Sequence, residues 1–319
     1  MTSRFELLGF VTRKLAASLP LLLGVTLISF TLTVHFGPDP AHAMLGKNPT
    51  AADLAALQRE LGQDRPFWMR YADYLHRLAT LDLGHTETSG EKVRDLLART
   101  MPISALLLAP GFILGTALAL FLAMVAAWHR GGRLDRLITG VSVVGMSLSF
   151  VIIIIALQAV FGVWLGWFPV RGWAVDGPAS YLAHVTIPTL AFVFASIGYN
   201  TRFFRAMLVN AMNAGHVRTA RAYGAGPARI MFRHVLRGCL LPIMTRIVYS
   251  VPALAISGSL LMESHFSIPG IGRVTYQAIL SGDQPVIMAV VGLSAVLFAV
   301  AVTVADLLCR LADPRIRLA

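Results

Sequence analysis

The chain has 319 residues, of which 56% are hydrophobic and 13% charged, and its formal net charge is +11. A soluble domain usually carries about 25% charged residues, so this deficit argues against an ordinary soluble protein and indicates a membrane protein. A basic chain can also bind nucleic acid, but Arg and Lys accumulate in the cytoplasmic loops of membrane proteins, which explains the charge without such a partner. The two cysteines, Cys239 and Cys309, are too few for a disulfide framework or a thiolate metal site.

Six stretches are long and apolar enough to form transmembrane helices, each of which needs about 20 mostly apolar residues. The sequence therefore predicts an all-α polytopic membrane protein with both termini on one side. The first stretch could instead be a cleaved signal peptide, because Ala41-His42-Ala43 imitates a cleavage site, but its apolar core exceeds the usual length of about 7–15 residues. The predicted spans are Leu15–Phe36, Pro102–Ala127, Leu137–Leu165, Val185–Leu208, Leu241–Met262 and Val286–Cys309.

Basic residues indicate which side is the cytoplasm. Of the 27 basic residues, 17 lie in four regions. These regions are the N-terminus, the loop after the second span, the loop after the fourth span with the adjoining span ends, and the C-terminal tail. Only four acidic residues share these regions. By the positive-inside rule, both termini are predicted to be cytoplasmic.

The segment after the first span, 37–100, is predicted to lie outside and to be helical. Thr50 and Asp53 have the spacing of a capping box at the start of one helix. Two interpretations are open and compatible: a helical cap packed on the outer ends of the spans, or a docking surface for an outside partner. The apolar positions at helical spacing are Leu54, Leu57 and Leu61 in one run, and Trp68, Tyr71, Leu75 and Leu78 in the next.

The sequence contains no common motif for binding ATP or for catalysis. None of the three lysines is followed by Ser or Thr, as the end of a phosphate-binding loop requires. His-Glu-x-x-His, Cys-x-x-Cys and Gly-x-Ser-x-Gly patterns are also missing from the sequence. We therefore predict that this chain is not itself an enzyme and has no catalytic residues, no metal site and no bound cofactor.

Ionisable side chains are scarce inside the predicted spans, which argues against a carrier driven by an ion gradient. Asp306 lies four residues before Arg310, so it fits a local ion pair at the interface or, alternatively, a proton relay. Arg246 lies five residues into the fifth span and is predicted to extend its head group towards the cytoplasm.

A basic helix-turn-helix interrupts the apolar chain from Arg218 to Pro242. Gly224 suits the left-handed residue that ends a helix, and Pro227 suits the first turn of the next one. One interpretation is a passive linker whose arginines set the topology and touch anionic lipid; the other is a contact with a cytoplasmic protein. In the second helix, the predicted apolar stripe is Phe232, Val235, Leu236 and Cys239, and the predicted charged face is Arg229, Arg233 and Arg237.

The stretches "RTARAYGA" and "RHVLRGCLLP" resemble the coupling loop, or EAA motif, of ABC-importer permeases, and in particular the first permease subunit of the dipeptide, oligopeptide and nickel importer family. Further similar motifs follow in the family's order over nearly the whole chain. They are "RELGQDRPFWMRYADYL" and "LDLG" after the first span, "GWFP" after the third, "ESHFSIPGIGRVTYQAILSGDQPV" before the last, and "DPRIR" near the end.

This resemblance implies two sets of site residues. Arg218 stands where the broader EAA pattern has Glu, so the contact made by that Glu is not carried over. The outer set would lie near the outer surface, close to a partner permease and a binding protein, or it forms a plain re-entrant or surface helix. The coupling loop is Arg218, Thr219, Ala220, Arg221, Ala222, Tyr223, Gly224 and Ala225, and the outer-mouth segment is Glu263, Pro269, Gly270, Gly272 and Asp283.

The resemblance also implies the assembly around this chain. The expected partners are a second homologous permease, two ATPase domains that use ATP and Mg, a periplasmic substrate-binding protein and the lipid of the bacterial inner membrane. The division of the chain is then 1–36 for the tail and first span, 37–100 for the periplasmic helical segment, 101–309 for a five-helix permease core with the coupling loop at about 210–240, and 310–319 for the cytoplasmic tail.

Alternating access driven by the ATPase pair would move the substrate. Di- and oligopeptides are the leading substrates, while close relatives carry nickel, metal chelates, glutathione or antimicrobial peptides. The substrate-binding residues remain unassigned. The alternative functions are an ion-gradient-driven secondary carrier of similar topology and, as a third class, a membrane-embedded enzyme or scaffold.

Overall fold

The computed structural model describes residues 4–37, 50–60, 62, 64–253 and 259–312, and these ranges contain helices joined by loops and no β-strand. The all-α prediction is confirmed for this part of the chain. Four predictions lie outside the described residues: the cleavage-like site at 41–43, Leu61, the motif Asp313–Arg317 and the side chain of Arg310 as partner of Asp306.

We number the helices in chain order. The second half of α6 and the middle of α9 are π-helical, at Gln158–Trp164 and Ile230–Val235. The bounds are α1 (Arg4–Phe36), α2 (Ala51–Glu60), α3 (Phe67–Thr80), α4 (Val93–Trp128), α5 (Arg133–Ser147), α6 (Phe150–Trp164), α7 (Pro178–Met212), α8 (Gly215–Ala222), α9 (Pro227–Gly238), α10 (Leu240–Ala253), α11 (Ser259–Phe266), α12 (Ile271–Ser281) and α13 (Gln284–Ala312).

Four helical segments in the described part are long and apolar enough to cross a membrane, and the number rises to six if each of two bent helix pairs is one span. A multi-pass membrane protein is therefore confirmed. The four segments are Thr12–Phe36, Val93–Trp128, Pro178–Met212 and Gln284–Cys309.

One predicted span is not a single straight helix. The third, Leu137–Leu165, is bent by 97° where α5 meets α6, because the backbone is extended at Leu148 and Ser149. The fifth, Leu241–Met262, is described only in part, as α10 up to Ala253 and α11 from Ser259, and α10 meets α9 at 62°. Hydropathy is averaged over a window, so two extended residues inside an apolar run leave no signal in it.

The chain divides into two compact units, the first comprising 1–104, 255–264 and 269–303. Within it, Phe30 of α1 packs with Tyr71 and Met288, and the Tyr71 hydroxyl donates to Leu23 O at 2.9 Å. Thr50 and Asp53 form the predicted helix start, with Asp53 N donating to Thr50 Oγ1 at 3.2 Å. The predicted apolar face of α3 is partly wrong: Tyr71 and Leu78 are buried, but Trp68 is 66% exposed. It lies about 100° around the helix from its neighbour Phe67, which does contact Phe30.

The second unit comprises 105–254, 265–268 and 304–319. Small residues bring its helices close together, as is common in membrane proteins. An added Cβ at Gly198 of α7 would lie 2.5 Å from Ser142 O of α5, and one at Gly115 of α4 would lie 2.7 Å from Ser196 Oγ. A core of Ala119, Ala123 and Ala127 packs with Phe204, Leu208, Val217, Ile230, Met231, Val235, Cys239 and Ile243. This core holds the helix-turn-helix to α4 and α7.

Candidate functional site

The turn between α8 and α9 is an exposed helix C-cap with glycine at its left-handed position. Gly224 has φ of +73°, which confirms the predicted left-handed residue. Ala225 N donates to Ala220 O at 3.1 Å and Gly224 N donates to Arg221 O at 3.0 Å. This 6→1 and 5→2 pair of bonds is the Schellman motif, which satisfies the last carbonyls of α8. Pro227 then occupies the first turn of α9, as predicted.

Buried apolar residues anchor this exposed turn at its base. Val217 on α8 is 0% exposed, and Val235 on α9 is also 0% exposed. Tyr223, next to the glycine, is 88% exposed. The turn is therefore held firmly at its two ends while its tip is open to a partner.

The apolar stripe predicted for α9 needs one correction. Phe232 is 60% exposed, whereas Ile230, Met231, Val235 and Cys239 are buried. The prediction assumed 3.6 residues per turn, but the π-helical backbone at Ile230–Val235 widens the turn and rotates Phe232 outward.

The charged face agrees with the prediction. All five arginines are exposed, and none forms an ion pair with any residue that the structure describes. The sequence from Arg218 to Pro242 has no acidic residue, so the face is uniformly basic. These arginines are Arg218, Arg221, Arg229, Arg233 and Arg237.

An ion pair near this segment was not predicted from the sequence. Arg205 Nε lies 2.5 Å from Asp135 Oδ1, and Arg205 Nη2 lies 2.6 Å from Asp135 Oδ2. Asp135 is 4% exposed, so the bidentate pair is largely buried between α5 and α7. The two residues are 70 positions apart, and the sequence offered only their opposite charges as a signal.

The five outer-mouth residues belong to the first unit, and all of them except Pro269 are buried. Glu263 is 0% exposed and Asp283 is 3% exposed, whereas Pro269 is exposed. Both carboxylates bind backbone at helix starts: Glu263 Oε2 accepts from Arg273 N at 3.1 Å, and Asp283 accepts from Thr88 N at 3.3 Å and Val286 N at 3.5 Å. They therefore stabilise α12, α13 and the loop before α4, and they are not surface contacts.

Gly270 and Gly272 are required by close packing. A Cβ at Gly270 would overlap the Glu263 carboxyl, and one at Gly272 would lie 2.5 Å from Leu260 N. Ser104 Oγ accepts a hydrogen bond from Ile271 N at 2.8 Å. The Pro-Gly turn is thus locked into its surroundings.

The chain is similar along its whole length to curated transport permeases. It is 31% identical over 334 residues to the di/tripeptide transport system permease protein DppB of Pseudomonas aeruginosa, covering 98% of this chain and 99% of that one. It is 32% identical over 301 residues to the dipeptide transport system permease protein DppB of Lactococcus lactis, covering 94% and 96%. It is 29% identical over 313 residues to the oligopeptide transport system permease protein AppB of Bacillus subtilis, covering 97% and 99%.

Two family models match the chain. Residues 7–104 match the N-terminal component of binding-protein-dependent transport system membrane proteins, and residues 102–318 match the inner membrane component of these systems. Such systems are ABC importers, so the alternative of an ion-gradient-driven carrier is wrong. The chain belongs to the family of binding-protein-dependent transport system inner membrane components, the permease subunits of ABC importers.

Proposed function

We propose that this chain passes di- or oligopeptides from a periplasmic binding protein to the cytoplasm by alternating access. The observation that carries the proposal is the end-to-end similarity to permeases named for dipeptide, di/tripeptide and oligopeptide transport. The chain works with a second homologous permease, two ATPase domains and the binding protein, in the bacterial inner membrane. ATP and Mg are used by the ATPase domains, and this chain hydrolyses no ATP and binds no cofactor itself.

The proposed topology has six spans with both termini in the cytoplasm. The arginine distribution supports it, as do the two bent pairs if each counts as one span. The proposed division is 1–36, 37–100, 101–309 and 310–319, with the coupling loop at about 210–240. A reporter fused after Arg317 should be active in the cytoplasm and one inserted near Thr50 should be active outside; the reverse pattern contradicts the topology.

The proposed coupling residues are Arg218 to Ala225. An exposed tip on a buried base supports this role, because a partner that pushes on Tyr223 and its neighbours acts on a segment packed against α4 and α7. The outer-mouth segment is proposed to lie near the second permease and the binding protein. A cross-linker at Gln277, which is exposed, should capture one of those two proteins in the assembled transporter.

Reconstitution tests the function directly. The purified chain alone should show no ATPase activity, and the complete assembly in vesicles should take up labelled di- and oligopeptides only when ATP and the binding protein are present. Uptake of nickel or glutathione with no peptide uptake would contradict the peptide assignment. ATP hydrolysis by the isolated chain would contradict the permease role.

A further inference from the structure

Arg246 lies on α10, within the proposed fifth span, and its guanidinium lies against two aromatic rings. Its guanidinium carbon lies 4.7 Å from the centre of the Tyr199 ring and 5.6 Å from that of Phe203. Tyr199 and Phe203 are four residues apart on α7, so their side chains share one face of that helix. Both distances are within the range of cation–π attraction.

The rings leave the hydrogen-bonding capacity of Arg246 unused. The structure gives Arg246 no ion pair and no hydrogen bond to any described residue, and its Nε is buried without a partner. Aromatic rings attract the faces of a guanidinium, whereas its five N–H donors point outward in its plane. Buried polar groups nearly always have a hydrogen-bond partner, so the unpaired Nε shows that the described part of the chain does not satisfy Arg246.

Arg205 of α7 shows how a structural arginine is paired in this chain. Two of its nitrogens bind both oxygens of Asp135, so its charge is balanced within the chain. Arg246 has no such carboxylate partner among the described residues. A charged residue within a membrane span commonly marks a substrate pathway.

The guanidinium is closer to the Tyr199 ring than to the Phe203 ring. Tyr199 is 49% exposed, so the face of α7 beside the guanidinium remains accessible to a ligand.

We propose that Arg246 binds a carboxylate of the transported substrate, with Tyr199 and Phe203 fixing the plane of its guanidinium. The proposal rests on the proposed peptide function, because every unmodified linear peptide brings a C-terminal carboxylate across the membrane. A guanidinium binds a carboxylate through two parallel hydrogen bonds, which is the interaction that Arg246 lacks within its own chain. Arg246 is thus a specificity-determining residue for peptides with a free C-terminus.

The test compares a peptide with its C-terminal amide in the complete transporter. Vesicles that contain the assembly receive binding protein preloaded with one or the other peptide, and the ratio of the two transport rates is measured. Any preference of the binding protein itself cancels when the ratio of a variant is divided by that of the unmodified transporter. Arg246→Gln should lower the ratio of acid to amide by about tenfold, the loss expected for a charge-assisted hydrogen bond.

The matched control is Arg202→Gln. Arg202 is an exposed arginine one turn from Tyr199, and its head group lies 4.0 Å from the Met146 sulfur with no carboxylate partner among the described residues. Its substitution should leave the ratio unchanged. Arg246→Lys, which retains the charge but not the planar fork, should give an intermediate ratio and serves in place of Arg246→Gln if that variant does not assemble. Tyr199→Leu should also lower the ratio, since it removes one of the rings that orient the guanidinium.

Equal loss of acid and amide transport in both Arg246 variants would overturn the proposal, because it would show that Arg246 serves a lipid phosphate or an acidic residue of the second permease. An unchanged ratio with normal transport would overturn it as well. Failure of the proposed function looks different: the unmodified assembly would then transport neither peptide.

Discussion

The turn between α8 and α9, which is the proposed coupling turn, and the outer-mouth segment both need glycine, but for different physical reasons. Gly224 has φ of +73° and no atom within 4 Å of an added Cβ, so it is needed for its backbone conformation alone. Gly272 has no positive φ, but a Cβ there would lie 2.5–2.6 Å from the backbone of Ser259 and Leu260. The same residue type therefore marks an open surface in one region and a packed interior in the other.

Their charged residues differ in the same way. The coupling segment exposes five arginines that form no ion pair with the described part of the chain, which suits a surface that meets another protein. The outer-mouth segment buries Glu263 and Asp283 against backbone N–H groups, which suits a fixed support. Substitutions should consequently impair coupling in the first region and folding in the second.

The largest effect is expected for Gly272→Ala. Its Cβ would meet backbone atoms that cannot rotate away, and overpacking of this kind costs about 1–3 kcal/mol. The amount of folded protein in the membrane and its thermal stability in detergent should both fall. Gly226→Ala is the control, because that site has open space and φ of −67°; equal losses in both variants would contradict the packing argument.

Gly224→Val should leave the protein folded and stop transport. A β-branched residue at positive φ is strained by roughly 1–2 kcal/mol, and relief of that strain re-aims the turn between α8 and α9. Transport and copurification of the ATPase subunits should fall at matched membrane levels. Gly226→Val, two residues away in open space and with φ of −67°, should retain both; normal transport by Gly224→Val would remove the coupling role from this turn.

A smaller effect is expected for Arg229→Gln. Arg229 is exposed and belongs to a face with four other arginines, so the loss of one charge is shared by the rest. Transport should remain within about twofold of the unmodified protein, since single exposed charges contribute little. A loss as complete as that of Gly224→Val would show that Arg229 makes a specific contact with the ATPase.

The smallest effect concerns Glu87 beside the outer segment. Burial, together with the nearby charge of Asp283, raises the pKa of Glu87 from 4.5 to about 7. The folded state therefore holds this proton more tightly than the unfolded state, so the contribution of Glu87 to stability is greatest below pH 4.5 and is lost as pH rises through about 7. The melting temperature should decrease slightly from pH 5 to pH 8, and Glu87→Gln should reduce that decrease. Asp82→Asn, in the same exposed loop, should leave it unchanged.

Apolar periodicity, the distribution of charge and helix-breaking residues were enough to predict much of the secondary structure of this chain. Long apolar runs in a chain with few charges require membrane helices, because the lipid interior offers no partners for backbone groups. Gly224 and Pro227 fixed the helix break at the coupling turn, since few other residues adopt those backbone conformations without strain. Thr50 and Asp53 fixed a helix start for the same local reason.

Other features became visible only in the tertiary structure, because they depend on residues that are distant in sequence. One example is the 97° bend at Leu148–Ser149, and another is the π-helical turn that exposes Phe232. Neither could be predicted, because an apolar run has the same composition whether it is straight, bent or π-helical. Burial of Glu263 and Asp283, and the pairing of Asp135 with Arg205, depend on residues that meet only after the chain folds. The sequence determined where helices form, because helix formation depends on local and additive properties, whereas the satisfaction of each buried charge depends on three-dimensional packing.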